Sequence, residues 1–301
     1  MLPILLAYAT LYLVWGSTYF AIKEAVSGLP PAFVIAFRFT LGGCLLLALA
    51  SALGRFPRRP TRSEWRTAIL LAVLLILGGN GLVTWAEQEV ESYLAALIIA
   101  STPLGVALFN RALLRIPLSY PGLAGIIAGL AGVALILYDG HSLATSLTLH
   151  AGVILLAVAS WSLGTSLGRS LPAYPEVMVS SGLQSLLGGC LCLLGYLLHL
   201  AVGEGRGLPD FSAVPWRSWA GLAYLTVPGT LGFLAYGFLI TREPSSRVVS
   251  YALVNPAVAV LLGLSFGEKA TPYLWHGLPL ILFGVFLMLY GGPLARRLTG
   301  R

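Results

Sequence analysis

The chain has 301 residues, of which 57% are hydrophobic and only 10% are charged. Soluble domains carry about 25% charged residues, so this composition excludes a water-soluble globular protein and indicates a surface that faces lipid. The net charge of +7 does not indicate nucleic-acid binding, because the basic residues lie in short gaps between apolar segments and form no stripe with interleaved aromatic residues.

Apolar segments long enough to cross a bilayer follow one another along the chain, since a spanning helix needs about 20 mostly apolar residues. They are predicted at Leu2–Ala25, Pro31–Leu53, Glu64–Ala86, Ser92–Leu114, Leu118–Leu137, Ala151–Ser170, Val177–Val202, Trp216–Ile240, Val248–Phe266 and Pro272–Gly291. The first segment lacks the basic start and the cleavage site of a signal peptide, so we expect it to be retained. The sequence therefore predicts an all-α membrane protein with ten transmembrane helices.

The charged residues of the gaps predict the orientation of these helices. Arginines concentrate in every second gap and in the tail, at Arg55, Arg58, Arg59, Arg62, Arg66, Arg111, Arg115, Arg169, Arg242, Arg247, Arg296, Arg297 and Arg301. Most acidic residues lie in the other gaps. Because basic loops stay in the cytoplasm, both termini are predicted on the cytoplasmic side of a bacterial inner membrane.

An internal repeat relates the two halves of the chain. The segment Trp65–Trp85 matches Trp216–Tyr236 at a single offset. The other matched pairs are Trp15 with Trp161, Lys23 with Arg169, Ser101-Thr102-Pro103 with Val254-Asn255-Pro256, and Gly132-Val133 with Gly284-Val285. Each half then has five helices, and because five is odd the second half must be inverted. The predicted domains are a first repeat at 1–140, an inverted second repeat at 147–292 and a short basic cytoplasmic tail at 293–301.

The segments Val14–Phe39 and Ser250–Thr271, together with the glycine-rich last helix of each half, resemble the EamA-type family of the drug/metabolite transporter superfamily. The resemblance covers nearly the whole chain as two tandem repeats. It implies ten helices around a central cavity lined by helices 1, 3, 4, 6, 8 and 9. Family members export amino acids, drugs and other metabolites, so it also implies an inner-membrane secondary transporter that works by alternating access.

Two alternatives to an exporter of soluble metabolites stay open at this point. The superfamily includes transporters of lipid-linked intermediates, so a lipid-linked metabolite transporter or flippase is one alternative, and a non-transporting membrane scaffold is the other. One departure from the family pattern is Phe109-Asn110-Arg111 at the end of the fourth helix, where the ninth has Phe266-Gly267-Glu268. It lies at a membrane edge, so we do not expect it to affect transport.

Polar and aromatic residues inside the predicted helices are the candidates for the cavity wall, because polar groups at membrane depth are costly and usually functional. Asn80, Thr84 and Gln88 are spaced by four on helix 3, but they could equally hold helices together. The aromatic candidates could stack on planar or cationic substrates or simply pack. The full set is Trp15, Thr18, Tyr19, Asn80, Thr84, Trp85, Gln88, Ser101, Thr102, Trp161, Thr165, Tyr236, Tyr251 and Asn255.

Two prolines, Pro103 and Pro256, are expected to break helices 4 and 9 in mid-span, because proline removes a backbone donor. Broken helices near the midplane are where transporters bind ligands or bend, although a kink satisfied by neighbouring helices is the alternative.

Arg38 lies about 10 Å into helix 2. It could attract an anionic substrate, or it could extend outward or pair with Glu24 to fix helices 1 and 2. The resemblance places helix 2 outside the cavity ring and favours the structural role. Glu87 is the nearest titratable candidate for proton coupling, and its position at the end of a span is peripheral, so protons as a coupling ion stay open.

The sequence does not predict an enzyme. It has no phosphate loop, no pair of intramembrane aspartates, no His-Glu metal motif and no Gly-x-Ser-x-Gly turn. Cys44, Cys190 and Cys192 lie in apolar segments without the spacing of a metal site or a disulfide framework. The expected partners are a small-molecule substrate and the lipid bilayer, with no cofactor, metal or nucleic acid, in a monomer or a homodimer.

Overall fold

The computed structural model describes residues 2–116, 120–137, 149–168, 170–202, 210–243, 248, 251–270 and 272–299. Within these ranges, the side chains of 133, 136, 137, 199, 202, 252, 253, 285, 288, 289 and 293–299 are not described. Arg169, Arg247 and Arg301 therefore lie outside the described residues, as do the side chains of Val133, Val285, Arg296 and Arg297.

The described part of the chain folds into helices. They are α1 (Leu2–Val26), α2 (Pro31–Ala52), α3 (Arg62–Ala86), α4 (Ser92–Leu113), α5 (Tyr120–Leu137), α6 (Leu149–Gly168), α7 (Val177–Val202), α8 (Trp216–Ile240), α9 (Tyr251–Ser265) and α10 (Leu274–Thr299). Among the described residues, seven helices are long and apolar enough to cross a membrane, and shorter apolar stretches lie in α5, α9 and α10. The predicted bounds agree closely, except that α10 continues past Gly291 to Thr299 and takes in most of the predicted tail.

The arginine-rich segment before α3 is held against the start of α7. Thr61 and Glu64 form a reciprocal capping box at the start of α3. Glu64 also pairs with Arg58 at 2.6 Å. The Tyr174 hydroxyl donates to the Arg58 carbonyl at 3.1 Å, and the Arg58 guanidinium lies 4.7 Å from the Tyr174 ring centre. These contacts satisfy the free donors of the helix start and fix the segment in place.

Three of the helices are irregular near their middles. A π-helical segment runs through α3 at Ala72–Gly81, and α8 is interrupted between Thr226 and Pro228. The segments of α4 end at Ile99 and restart at Thr102, which is the interruption predicted beside Pro103. The interruptions of α3 and α8 fall at matching positions of the internal repeat.

The expected break at Pro256 is wrong, because α9 runs through this residue without interruption. With its amide oriented for donation, Asn255 reaches the backbone carbonyls of Tyr251 at 3.3 Å and Tyr12 at 3.2 Å. Neighbouring groups therefore satisfy the backbone around the proline, as is common in membrane helices.

Helices α2 and α7, which are equivalent in the repeat, pack against each other along their lengths. A β-carbon at Gly43 would lie 2.7 Å from the Cα atom of Leu186 and 2.8 Å from the carbonyl oxygen of Gly182. A β-carbon at Gly189 would collide with the backbone of Thr40. Residue numbers rise along one helix as they fall along the other, so these two helices run antiparallel.

The second equivalent pair, α5 and α10, repeats this arrangement. A β-carbon at Gly284 would lie 2.5 Å from the backbone nitrogen of Gly129, and one at Gly291 would lie 2.5 Å from the β-carbon of Pro121. The order of these contacts again makes the two helices antiparallel. Small residues permit this close approach of backbones, which stabilises helix pairs in a bilayer through van der Waals contacts.

We expect Gly43→Ala to lower the free energy of unfolding in detergent by about 1–3 kcal/mol, because the added methyl group meets backbone atoms that cannot rotate away. The matched control is Gly195→Ala on α7, where a β-carbon has no neighbour within 4 Å. This control should be neutral or stabilising, since alanine favours helix more than glycine does. Thermal unfolding measures both, and equal midpoints for the two variants would contradict the packing described.

Candidate functional site

An aromatic cluster occupies the centre of the bundle around the indole of Trp15. Its ring centre lies 5.8 Å from that of Trp161, 5.6 Å from Phe233, 5.3 Å from Tyr236 and 5.3 Å from Tyr251. The Tyr236 ring is stacked on the Trp15 indole. The rings of Trp161, Phe233 and Tyr251 meet that indole edge-on. Such geometries are favourable for aromatic pairs, so the cluster is a tightly packed layer rather than a loose collection of rings.

Two glycines make room for the two tryptophans of this aromatic cluster. A β-carbon at Gly232 of α8 would lie 2.5 Å from Cδ1 of Trp15, and one at Gly79 of α3 would lie 2.7 Å from Cε3 of Trp161. Trp15 and Trp161 are equivalent in the repeat. Each tryptophan therefore packs on a glycine of an irregular helix from the other half of the chain.

One cavity opens on the side of the aromatic cluster toward Lys23, Glu91 and Glu268, and we call this side the acidic end. The acidic-end cavity contains about 600 Å³ of unoccupied space, counting its mouth. Its walls come from α1, α2, α3, α4, α6, α8 and α9. The lining residues are Trp15, Thr18, Tyr19, Ile22, Arg38, Gly79, Asn80, Val83, Ile99, Thr102, Ala157, Trp161, Phe233 and Tyr251.

A second cavity lies on the other side of the aromatic cluster, toward Arg58 and Arg242, which we call the arginine end. It contains about 1080 Å³ of unoccupied space between α3, α6, α7 and α8, counting its mouth. Thr165, Gln184 and Tyr236 line it, and Phe233 lines both cavities. The aromatic cluster therefore stands between two cavities that lie toward opposite ends of the bundle.

Arg38 is part of the wall of the acidic-end cavity, with only 4% of its surface exposed. Its Nη1 atom is buried without a hydrogen-bond partner, and no carboxylate of the described residues forms an ion pair with it. Glu24 pairs instead with Arg217 at 3.4 Å. The expected Arg38–Glu24 pair is wrong, because Glu24 lies at the end of α1 next to the start of α8.

Glu87 is fully buried, with 0% of its surface exposed, although it lies at the end of a span as the sequence predicted. It follows directly after α3, and its backbone N–H donates to the carbonyl of Val83, a cavity residue, at 2.9 Å. Neither carboxylate oxygen has a hydrogen-bond partner among the described residues. The charged groups within electrostatic reach are Lys23, Arg38 and Glu268.

The family model for the EamA-like transporter family matches this chain twice, at residues 1–138 and 149–290. The chain belongs to the EamA-like transporter family. The matched regions contain every residue of the aromatic cluster and of the two cavities.

Relatives of this EamA-like transporter match it over nearly its full length. The Escherichia coli (strain K12) protein "Uncharacterized inner membrane transporter YedA" is 34% identical over 295 residues, which is 97% of this chain and 92% of the relative. The Bacillus subtilis (strain 168) protein "Uncharacterized transporter YvbV" is 26% identical over 94% of this chain and 90% of its own. A crystal structure with 22% sequence identity covers 98% of both chains at a TM-score of 0.65, which shows a shared fold.

Many of the residues that the sequence predicted for the cavity of this EamA-like transporter do line one of the two cavities. Those at the acidic-end cavity are Trp15, Thr18, Tyr19, Asn80, Thr102, Trp161 and Tyr251, and those at the second cavity are Thr165 and Tyr236. Gly79 and Phe233 also line the acidic-end cavity but were not among the predicted cavity residues. No signal marked Phe233, since a phenylalanine in an apolar helix is ordinary, whereas Gly79 lies in the glycine-rich part of the repeat.

The remaining predicted residues line neither cavity. Trp85 is 37% exposed and stacks on His150 with ring centres 4.5 Å apart, and Gln88 lies beyond the end of α3, where it donates to the Trp85 carbonyl at 2.9 Å. Thr84 is buried away from both cavities. The predicted stripe on α3 assumed a regular helix that continued to Gln88, whereas the π-helical segment changes its course and α3 ends at Ala86.

Two further predicted residues are engaged in backbone contacts. Ser101 is buried and donates to the Ile98 carbonyl at 2.6 Å, at the interruption of α4. The amide of Asn255 joins α9 to α1, as described above. Both residues hold the transporter together beside the cavity instead of forming its wall.

A network of contacts joins helix ends at the acidic end of the transporter. The Glu268 carboxylate accepts hydrogen bonds from the backbone N–H groups of Ser92 at 3.2 Å and Tyr93 at 3.3 Å, at the start of α4. Lys23 pairs with Glu91 at 3.9 Å and donates to the Val90 carbonyl at 3.1 Å. Because a helix start carries a partial positive charge, Glu268 joins the segment after α9 to α4.

Removal of this capping carboxylate should weaken the transporter. We expect Glu268→Ala to lower the free energy of unfolding by about 1–2 kcal/mol, because it leaves two donors of the α4 start without their acceptor. Glu89→Ala, at the same end but exposed, is the control and should change the stability little. Thermal unfolding in detergent measures the difference, and a full loss of stability in the control alone would refute the assignment.

Proposed function

We propose that this protein is an inner-membrane secondary transporter that exports small metabolites by alternating access. The observation that carries the proposal is the aromatic cluster, which stands between two cavities toward opposite ends of the bundle. Access to either cavity alone lets a solute reach the centre without opening a continuous pore. Movement of Trp15 and Trp161 relative to the helices that hold them would then pass the solute from one cavity to the other.

The two halves supply the symmetry that this mechanism needs. We propose ten spans in two inverted repeats, at 1–140 and 147–292. The antiparallel packing of the equivalent pairs α2–α7 and α5–α10 supports an inverted relation. Two inverted units can exchange conformations, so that each cavity closes as the other opens.

The irregular helices supply places where the path can bend. The π-helical segment of α3, the interruption of α4 and the interruption of α8 all lie beside the aromatic cluster or the cavity walls. Such sites lack part of the regular backbone hydrogen bonding and are where helices kink. We propose that the helices bend at these positions, whereas the glycine-packed pairs, which join the two halves, stay together.

The distribution of arginine supports the orientation. We propose that the arginine end faces the cytoplasm, so that both termini are cytoplasmic and the acidic-end cavity faces outward. The E. coli relative is named an inner membrane transporter, which supports the same membrane. The walls of the cavities are mainly aromatic, small and polar, which fits amino acids or amphipathic drugs better than a lipid-linked molecule.

Transport can be tested by efflux from proteoliposomes loaded with a panel of amino acids and amphipathic drugs, with and without a proton gradient. We expect efflux that depends on the protein, and we expect Gly79→Ala to slow it about tenfold, because the methyl group would displace Trp161. Gly81→Ala is the matched control: at 3.4 Å, its β-carbon would make an ordinary contact with the Ile76 carbonyl. No efflux of any compound, or equal loss in both variants, would count against the proposal.

Orientation can be tested by labelling single cysteines in intact cells after replacement of Cys44, Cys190 and Cys192. We expect a membrane-impermeant maleimide to label Glu89→Cys from outside and to label Arg59→Cys only after the membrane is made permeable. Both positions are exposed, so accessibility to the reagent depends on the side of the membrane alone. The reverse labelling pattern would show that the protein has the opposite orientation in the membrane.

A further inference from the structure

We propose that the guanidinium of Arg38 is the receptor for a carboxylate on the transported molecule. The substrates would then be organic acids or zwitterions in which a carboxylate is joined to an apolar or aromatic body. This inference rests on the proposed transport function and narrows the substrate class of its outward cavity.

Arg38 is a buried cation with an unpaired hydrogen-bond donor. A buried cation without a partner is costly, and structures keep one only where something compensates its charge. Arg38 is 4% exposed, its Nη1 atom has no hydrogen-bond partner, and none of the ion pairs of the described residues includes it. The Nη1 donor is therefore available to an anion that enters the cavity.

The guanidinium of Arg38 lies beside the aromatic cluster. It lies 4.5 Å from the ring centre of Phe39, and Phe39 meets Phe233 edge-on at 5.5 Å. Its Nη2 atom lies 3.8 Å from where a β-carbon on Gly229 would be, directly after the interruption of α8. A molecule whose carboxylate reached Arg38 would thus place its apolar part against Phe233 and Trp15, which line the same cavity.

The guanidinium group is well suited to bind a carboxylate. A guanidinium presents a planar set of donors that matches both oxygens of a carboxylate, and such charged, paired hydrogen bonds are stronger than neutral ones. The same charge repels a cationic drug. An aromatic wall alone would accept either kind of molecule, so Arg38 is the group that makes the cavity select by charge.

Glu87 lies one turn from Val83 on the acidic side of the cavity. The groups that face it are Tyr19 and Lys23 of α1, Arg38 of α2 and Glu268 after α9. Glu87 is within electrostatic reach of Arg38 but forms no ion pair with it. Because burial disfavours the charged form of a carboxyl, Glu87 does not neutralise Arg38 and does not repel an incoming carboxylate.

Matched acid and amide pairs test this assignment. Hydrocinnamate with hydrocinnamamide, and indole-3-acetate with indole-3-acetamide, differ little in size but differ in charge. Binding of each to the purified full chain is measured by the shift in thermal midpoint and by tryptophan fluorescence. We expect the wild type to bind the acids at least about tenfold more tightly than the amides, because a hydrogen bond to a charged group is worth at least that factor.

Three variants separate a receptor from a structural arginine. Arg38→Gln should weaken acid binding about 10- to 100-fold and leave amide binding unchanged, because only the acids use the charge. Arg38→Lys keeps the charge without the paired donors and should fall between the two, which also covers the case in which Arg38→Gln does not fold. Glu87→Gln is the control for Arg38 and should leave acid binding unchanged, because burial disfavours a charge on Glu87 and the substitution keeps its shape.

The proposal is overturned if the wild type binds no acid of the panel, binds acids and amides equally, or keeps its preference for acids in the folded Arg38 variants. Efflux measured with the same compounds separates this failure from that of the transport function. Equal efflux of acids and amides would remove the role of Arg38 and leave a transporter. Charge-selective binding without efflux would keep the Arg38 site and remove the transport function.

Discussion

The contact of each central tryptophan with a glycine is the constraint on which the rest of this structure depends. Trp15 packs on Gly232 and Trp161 packs on Gly79, so two large rings meet at the centre without forcing their helices apart. A β-carbon at either glycine would clash with the facing tryptophan ring. The tryptophans can separate the cavities only because the facing helices offer bare backbone at those positions.

The bilayer decides what the remaining polar groups do. Lipid cannot satisfy a polar atom, so buried hydroxyl and amide groups bond to the nearest backbone, as Ser101 and Asn255 do. Arg38 and Glu87 are different, since both are charged in water and neither has a direct partner among the described residues. A compact bundle that keeps two such groups beside its cavity retains them at a cost to stability, which points to a role in what the cavity binds.

Hydropathy alone was enough to predict where most helices begin and end. Leu2, Pro31, Ser92, Val177 and Trp216 each begin a helix where the apolar segments predicted it. The matching of Trp15 with Trp161 also found the two central rings, because aromatic residues at one repeat offset are a strong signal. Helix bounds and the repeated tryptophans depend on the sequence close to each position, so one sequence is enough to predict them.

Packing between distant segments could not be predicted in the same way. The partner of Glu24 is Arg217, almost two hundred residues away, and no pattern near Arg38 excluded the wrong pair. The π-helical segment of α3 has no distinctive turn signal, so Thr84 and Gln88 were expected on one face with Asn80, and of the three only Asn80 lines a cavity. Pro256 shows the converse, since a residue that usually breaks helices lies where its neighbours tolerate it.

The antiparallel pairs α2–α7 and α5–α10 also bear on how such a chain is made. Each pair takes one helix from each half, so the glycine faces of α2 and α5 have no partner until the second half has been synthesised and inserted. During that interval they must lie against lipid or against one another. A five-helix polypeptide on its own would leave the same faces bare, and a second copy threaded in the opposite direction would cover them.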